Sequence, residues 1–230
     1  MRVHIYPTAH ELAEAAADYV ATSIKNTKRP MTLGLAGGST PRATYHRLAE
    51  AAVDWSQITL WLGDERWVPH DHSESNTRMV RESLADRVVA RLVAPDTAFG
   101  EPGDAAAAYG RLLADVFFDG RPDVVILGIG DDGHTASLFP ASGALEDDSG
   151  IYLANWVQEK GVWRLTASMT LLRSARELAF LVQGEDKARV LSEIIDDGLP
   201  HPAQRVASGA NAVRWMLDEA AASKLRTIRR

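Results

Sequence analysis

Two features of the sequence predict an α/β fold. Short, continuously apolar segments led by Val, Ile and Leu alternate with longer Ala-rich amphipathic stretches, the pattern of strands buried on both faces and separated by helices. Three of the apolar segments break off abruptly into loops crowded with glycine, hydroxyl groups and carboxylates. Buried strands of such sheets carry their functional loops at their carboxyl ends. The chain has 230 residues, 46% of them hydrophobic, enough for one large domain or two small ones. No low-complexity or Gly/Ser/Pro-rich linker divides it, which favours a single domain over residues 1–230.

The first element is a short strand at residues 3–6, closed by Pro7, after which Thr8 caps an amphipathic helix over residues 9–24. Residues 32–36 read as a second buried strand. Gly37-Gly38-Ser39-Thr40-Pro41 then leads directly into a helix through Tyr45, Leu48 and Ala52. A helix N-terminus offers unpaired N–H groups and partial positive charge, and this loop adds two hydroxyls and close backbone access, so it suits phosphate. It is neither Gly-x-Gly-x-x-Gly nor a Walker A sequence, which counts against a dinucleotide or a nucleoside triphosphate. A capped turn without a ligand is the plainer alternative.

A third strand at residues 58–62 ends in Gly63-Asp64-Glu65-Arg66-Trp67-Val68-Pro69. Neighbouring strand residues point to opposite faces, so one of Asp64 and Glu65 is expected to face a ligand while the other holds Arg66 or caps a helix. His70-Asp71-His72 invites a metal reading, but no third ligand at fixed spacing accompanies the pair, and no metal site is expected. A helix over residues 75–89, a Pro- and Gly-containing connection over 94–103 and an Ala-rich helix over 104–118 follow.

The run Asp123-Val124-Val125-Ile126-Leu127-Gly128-Ile129-Gly130-Asp131-Asp132-Gly133-His134-Thr135-Ala136-Ser137-Leu138-Phe139-Pro140 begins as a β-type segment and turns into glycines, carboxylates and a histidine. Gly128, Gly130 and Gly133 permit sharp turns and close approach to a ligand. Asp132 and His134, two residues apart, fall on one side of an extended loop, while Asp131 reads as a loop residue only. Alone, the run fits equally a β-to-α turn whose Asp caps a helix and whose His is solvated.

Residues 151–157 and 163–166 alternate as paired strands about a Glu159-Lys160-Gly161 turn. Arg164, inside the second of them, is either a surface residue or an anion ligand aimed into a cleft. A buried strand at 177–182 precedes Gly184 and a helix start carrying Lys187, where a cation is favourable only beside an anion. A last strand at 213–217 leads to a final helix opened by Asp218-Glu219. Lys224, Arg226, Arg229 and Arg230 form a solvated basic tail.

The chain has no cysteine, which excludes disulfides, thiolate metal sites and cysteine nucleophiles and fits a cytoplasmic location. The N-terminus lacks a signal-peptide core, and no run approaches the roughly 18 apolar residues of a membrane span, so no membrane association is expected. A net charge of -6 argues against a nucleic-acid partner. An anionic small molecule remains compatible with it wherever a few Arg and Lys converge. A monomer and a small homo-oligomer both remain open.

The motifs at 37–41, 63–69 and 128–140, Arg164-Leu165-Thr166, Gly184 with Lys187, and Trp215-Met216-Leu217-Asp218 together span almost the whole chain. In them the sequence closely resembles the 6-phosphogluconolactonase family, within the wider group that includes glucosamine-6-phosphate deaminases. The resemblance implies one α/β domain with a largely parallel, Rossmann-like sheet and helices on both faces. It also implies metal-independent, cofactor-free hydrolysis of 6-phospho-D-glucono-1,5-lactone to 6-phosphogluconate, in the pentose phosphate pathway. Arg66-Trp67, where the deaminases carry Tyr after Asp-Glu, and the continuation through Ser137-Leu138-Phe139-Pro140 look like the lactonase branch. Ala36 stands where many members of the family have Ser.

On this resemblance His134 is the general base, with Asp132 or Asp64 orienting its ring. The oxyanion would meet N–H groups of the 128–133 loop, including Gly133, or Arg66. The phosphate would rest on Gly37, Gly38, Ser39 and Thr40, with Arg164 and Lys187 closing over it and Arg42 a weaker partner. A glucosamine-6-phosphate deaminase/isomerase and a non-catalytic sugar-phosphate sensor are the alternatives.

Overall fold

The structure, a computed structural model, describes residues 1–98 and 100–226. In chain order the elements are β1 (Arg2–Tyr6), α1 (Ala9–Asn26), β2 (Met31–Leu35), α2 (Ser39–Leu48), β3 (Ile58–Leu62), β4 (Asp64–Arg66), α3 (Asn76–Ser83), β5 (Arg91–Val93), α4 (Pro102–Val116), β6 (Val124–Leu127), β7 (Tyr152–Val157), β8 (Val162–Ala167), α5 (Met169–Ser174), β9 (Glu177–Val182), α6 (Ala188–Ile195), α7 (Pro202–Ser208) and β10 (Val213–Asp218). None of the described helices is long and apolar enough to cross a membrane.

Seven strands form one wholly parallel sheet in the order β1-β10-β9-β6-β2-β3-β5. Strand alternation divides its side chains between two cores. Leu33, Leu35, Val124 and Ile126 pack with α1, α2 and α3 on one face, while Val125, Leu127, Phe180 and Trp215 pack with α4, α5, α6 and α7 on the other. The predicted α/β class, with helices on both faces, is the observed one. A second sheet, β4-β8-β7, is antiparallel and sits beyond the carboxyl end of β3. It is fastened there by a hydrogen bond from Ala167 N–H to the Gly63 carbonyl, 2.8 Å long.

The strand order fixes where a cleft opens. From β2 the chain winds outward through β3 to β5, then returns to β6 on the other side of β2 and winds away through β9 to β10. Connections therefore leave β2 and β6 in opposite directions, and a crevice forms outside their carboxyl ends. The loops at that point are those following Leu35 and Leu127. The first is held by Tyr45 of α2, whose fully buried hydroxyl accepts from Ala36 N–H at 2.9 Å and donates to the Ala36 carbonyl at 3.0 Å.

Several local expectations are corrected. The helix expected over 75–89 ends at Ser83, because Leu84 turns out of helical geometry (φ -142°) and is buried completely; a 3₁₀ turn and the three-residue β5 follow. Helix α4 starts at Pro102, inside the expected connection, with proline in the first turn where its missing N–H costs nothing. Among the described residues no final helix follows β10, and the 219–226 stretch is turns and irregular chain. There the Asp218 carboxylate accepts from the N–H groups of Ala221 at 2.7 Å and Gly184 at 3.0 Å. Arg226 is not a free tail residue, since it pairs with Asp197 and lies 3.6 Å from Asp196. Arg229 and Arg230 lie outside the described residues. Helices α5 and α7 and strand β4 correspond to no expectation.

Tyr45→Phe would leave a buried N–H and a buried carbonyl without their partner while keeping the ring. The expected loss is about 1–3 kcal/mol, read as a lower urea midpoint at unchanged slope. An unchanged midpoint would show that the hydroxyl does not hold the loop.

Candidate active site

Asp64 and Glu65 leave β4 in opposite directions. Glu65 has no exposure at all, and its carboxylate accepts from the N–H groups of Arg66, Asn76 and Thr77 at 2.7, 2.7 and 2.6 Å. It thereby caps α3, one of the two roles expected for this residue. Asp64 faces the crevice, where it accepts from Asn76 Nδ2 at 3.1 Å and from Ser137 Oγ at 2.8 Å. Its partners are thus an amide and a hydroxyl rather than His134.

The imidazole is held by Asp132. His134 Nδ1 lies 2.6 Å from Asp132 Oδ1, and the His134 main-chain N–H donates to the same oxygen at 3.0 Å. A Cβ on Gly130 would fall 2.0 Å from Nδ1 and 2.7 Å from that carboxylate, so only glycine lets the ring and the acid meet there. The Phe139 ring lies against the imidazole, with centroids 4.2 Å apart and planes 32° from parallel. Burial opposes ionisation of Asp132, but the hydrogen bonds from His134 outweigh it and hold the carboxyl at about 2.

The cations come from the small sheet and from the start of α6. Arg66 and Arg164 are direct partners in the β4–β8 ladder, which puts both on one face. Arg66 donates to the Glu74 carbonyl; the Arg164 guanidinium makes no hydrogen bond or ion pair among the described residues. Burial first, then the neighbouring Arg66 charge, pull Arg164 below the usual guanidinium value, against the opposing pull of Asp64, Glu74 and Glu65. Lys187 pairs with Asp131 and lies 3.2 Å from Asp186. Asp131 is therefore more than a loop residue, because it fixes this ammonium group.

These side chains line a cavity of about 500 Å³, within the range of small-molecule sites. Of the expected site residues, Gly37, Gly38, Asp64, Arg66, Asp132, His134, Arg164 and Lys187 form its walls. Ser39, which is exposed, and Thr40 are in the first turn of α2, next to the Gly38 that lines the cavity, and Arg42 is exposed one residue past Pro41. Gly133 turns away from the cavity toward His201. Sequence reasoning missed Asn76, Ser137, Phe139 and Lys160, all of which the cavity reaches. Ser137 and Phe139 belong to a run already singled out, whereas the hairpin residue Lys160 carries no local signal.

The histidines of the His70-Asp71-His72 loop are both engaged by main-chain groups. His70 Nε2 lies 2.8 Å from the Pro95 carbonyl, and His72 Nδ1 accepts from Glu74 N–H at 3.2 Å. No group of three or more potential metal ligands occurs among the described residues.

Fold and cavity together define a doubly wound α/β protein with a cation-lined polar cleft at the switch point of its sheet. The family of glucosamine-6-phosphate isomerases/6-phosphogluconolactonase matches residues 7–215, and the chain belongs to that family. It is 38% identical over 208 residues to a 6-phosphogluconolactonase of Synechocystis, covering 85% of each chain. Among solved structures, the 6-phosphogluconolactonase of Trypanosoma brucei superposes with a TM-score of 0.87 at 30% identity, covering 98% of both chains. A monomeric glucosamine-6-phosphate deaminase shares the fold, at TM-score 0.87 and 22% identity over 97% of this chain and all of that one.

The depressed Asp132 value has a definite sign. The stability it contributes is fully present above the unfolded carboxyl value, about 3.9, and is lost as pH falls toward about 2. Carboxyl ¹³C NMR should place the Asp132 midpoint near that lower value, and His134→Ala should move it upward. An unmoved midpoint in the variant would mean that the imidazole is not what holds the carboxylate.

Proposed function

We infer that this protein hydrolyses 6-phospho-D-glucono-1,5-lactone to 6-phosphogluconate, a step of the pentose phosphate pathway. The observation that carries this reading is the His134–Asp132 pair set in the wall of a cavity that also holds the confined Arg66–Arg164 pair. Asp132 engages Nδ1, so Nε2 is the nitrogen left to exchange protons with a substrate. The family membership and the lactonase relatives support the same substrate.

In the proposed reaction Nε2 takes a proton from water as the water oxygen bonds to C1 of the lactone. The carbonyl electrons collect on oxygen, then return as the bond from C1 to the ring oxygen breaks. The imidazolium gives its proton to that departing oxygen, leaving neutral histidine and the open-chain acid. Asp132 stays ionised throughout and supports the transient positive charge. The N–H groups of Gly130 and Gly133 are already bonded, to the His134 and Gly130 carbonyls at 2.8 and 3.0 Å, so the developing oxyanion would meet Arg66 or another N–H of the loop. The phosphate rests against Gly38 and the α2 N-terminus, with Arg164 and Lys187 as charge partners. Anchoring at the phosphate fixes C1 against the base.

An assay of freshly made lactone against its spontaneous hydrolysis tests the activity. Turnover no faster than background, or ammonia release from glucosamine 6-phosphate instead, would overturn the reading. His134→Ala should lower kcat by about 100-fold or more, and a variant as fast as the parent would remove the base assignment. Arg164→Ala and Lys187→Ala should each raise KM for the phosphorylated lactone much more than for gluconolactone itself. Equal effects on both substrates would place the phosphate elsewhere.

A further inference from the structure

A second histidine lies behind the loop that carries the His134–Asp132 pair. His201 immediately precedes α7, and its ring packs so closely on Gly133 that a Cβ there would sit 2.6 Å from its Cγ. His201 Nδ1 is 3.2 Å from the main-chain carbonyl of Asp132, and Nε2 is 2.9 Å from Glu193 Oε2 on α6. Two residues on, Ala203 N–H donates to the Gly133 carbonyl at 3.0 Å. The two peptides that flank Gly133 are therefore each held from behind, at the Asp132 and Gly133 carbonyls, while the Asp132 side chain holds His134 in front.

Both ring nitrogens of His201 face groups that only accept. A peptide carbonyl has no proton to give, and neither does an ionised carboxylate. Neutral imidazole has one donor, so it satisfies one of these contacts and sets a lone pair against the other; imidazolium satisfies both. We propose that His201 is a positioning residue for the His134–Asp132 pair, acting as a doubly protonated imidazolium that ties α6 to the Asp132–Gly133 peptide. The proposal rests on the lactonase reading for its effect on turnover, but not for the linkage itself.

The charged groups around His201 agree with this form. Glu193 also accepts from Arg189 at 2.5 Å; burial works against its ionisation, but the bonds from Arg189 and His201 prevail and keep its carboxyl below the usual value. From α7 the nearest cation, Arg205, is committed to Glu146 at 2.6 Å. From the loop the ring meets only the Asp132 carbonyl, the carboxylate of that residue being turned to His134. Without either of these two bonds the ring no longer ties α6 to the loop, and the Asp132 carboxylate holds the base less firmly.

The test uses the intact protein and three variants. The ¹⁵N spectrum of the parent at neutral pH should show both ring nitrogens of His201 protonated. His201→Ala should lower kcat by about 10- to 100-fold, the scale of a displaced catalytic group, with KM for the lactone nearly unchanged, and should raise the Asp132 midpoint from about 2. His201→Gln, which keeps one donor, should recover part of that loss. Glu193→Gln leaves the ring in place but removes the charge that faces Nε2, and should lower kcat less than His201→Ala does. One bare ring nitrogen at neutral pH would overturn the proposal, as would parent-like kcat in His201→Ala. So would a lower urea midpoint in His201→Ala with the Asp132 titration unmoved, since that is the behaviour of a residue that only packs. A parent without lactonase turnover would remove the catalytic consequence, while the two spectroscopic readouts would still decide whether the imidazolium link exists.

Discussion

The carboxylate of Glu65, wholly removed from water, accepts five hydrogen bonds: three from main-chain N–H groups and two from the hydroxyls of Ser75 and Thr77. An ionised acid in such a place costs several kcal/mol in lost solvation unless its lone pairs are met. Here the acceptor capacity is met in full, partly by the positive end of α3. The consequence is geometric. The same bonds fix Asn76, whose side-chain amide donates to the Asp64 carbonyl and carboxylate at 2.9 and 3.1 Å and packs against Gly37. One buried charge thus joins the loop after β3, the start of α3 and the loop after β2, which make up one side of the cavity.

The other side depends on β6 staying in register with β2. At the amino ends of these strands Thr32 N–H donates to Asp123 at 2.9 Å, and Asp123 N–H donates back to the Thr32 hydroxyl at 3.1 Å. Arg29 and Arg176 neutralise the same carboxylate. The strands are latched where they begin and part where they end, because their connections run in opposite directions. Latch and cleft lie at opposite ends of the same two strands, so the polar cluster that fixes the register does not compete with the groups that face the ligand.

Much of this frame was legible in the chain, because buried parallel strands read as continuous apolar runs and their terminal loops stand out by composition. The alternation rule separated Asp64 from Glu65 before any geometry was available, though not which of them faced the cavity. The choice of Asp132 over Asp64 as the partner of His134 was not legible, since it turns on Asn76 and Ser137 occupying Asp64 from distant segments. Strand β4 was hidden because it is three residues long and acquires its identity only by pairing with β8. Ser39, Thr40 and Arg42 follow the double glycine in sequence and open α2, while the cavity lining includes Gly37 and Gly38. His201 had no motif around it, and its relation to Gly133 exists only through the packing of α7.

The loop from Gly128 to His134 is rigid by construction rather than by burial. Its turn is closed by Gly130 N–H to the His134 carbonyl and Gly133 N–H to the Gly130 carbonyl, and Thr135 Oγ1 donates to the Gly128 carbonyl at 2.9 Å. The segment beyond is stapled to the small sheet, with Ser137 N–H donating to Thr166 Oγ1 at 3.1 Å and Asn155 Nδ2 to the Ser137 carbonyl at 2.8 Å. Ala136 takes a left-handed conformation (φ 48°), a strain that persists only where neighbouring bonds over-determine the backbone. His134 and Asp132 remain partly open to solvent, so packing alone would not hold them. A base that must meet a bound substrate at hydrogen-bond distance loses much of its advantage if it is displaced by an ångström. The dense internal bonding of this short loop supplies the order that burial cannot, while leaving the imidazole accessible from the cavity.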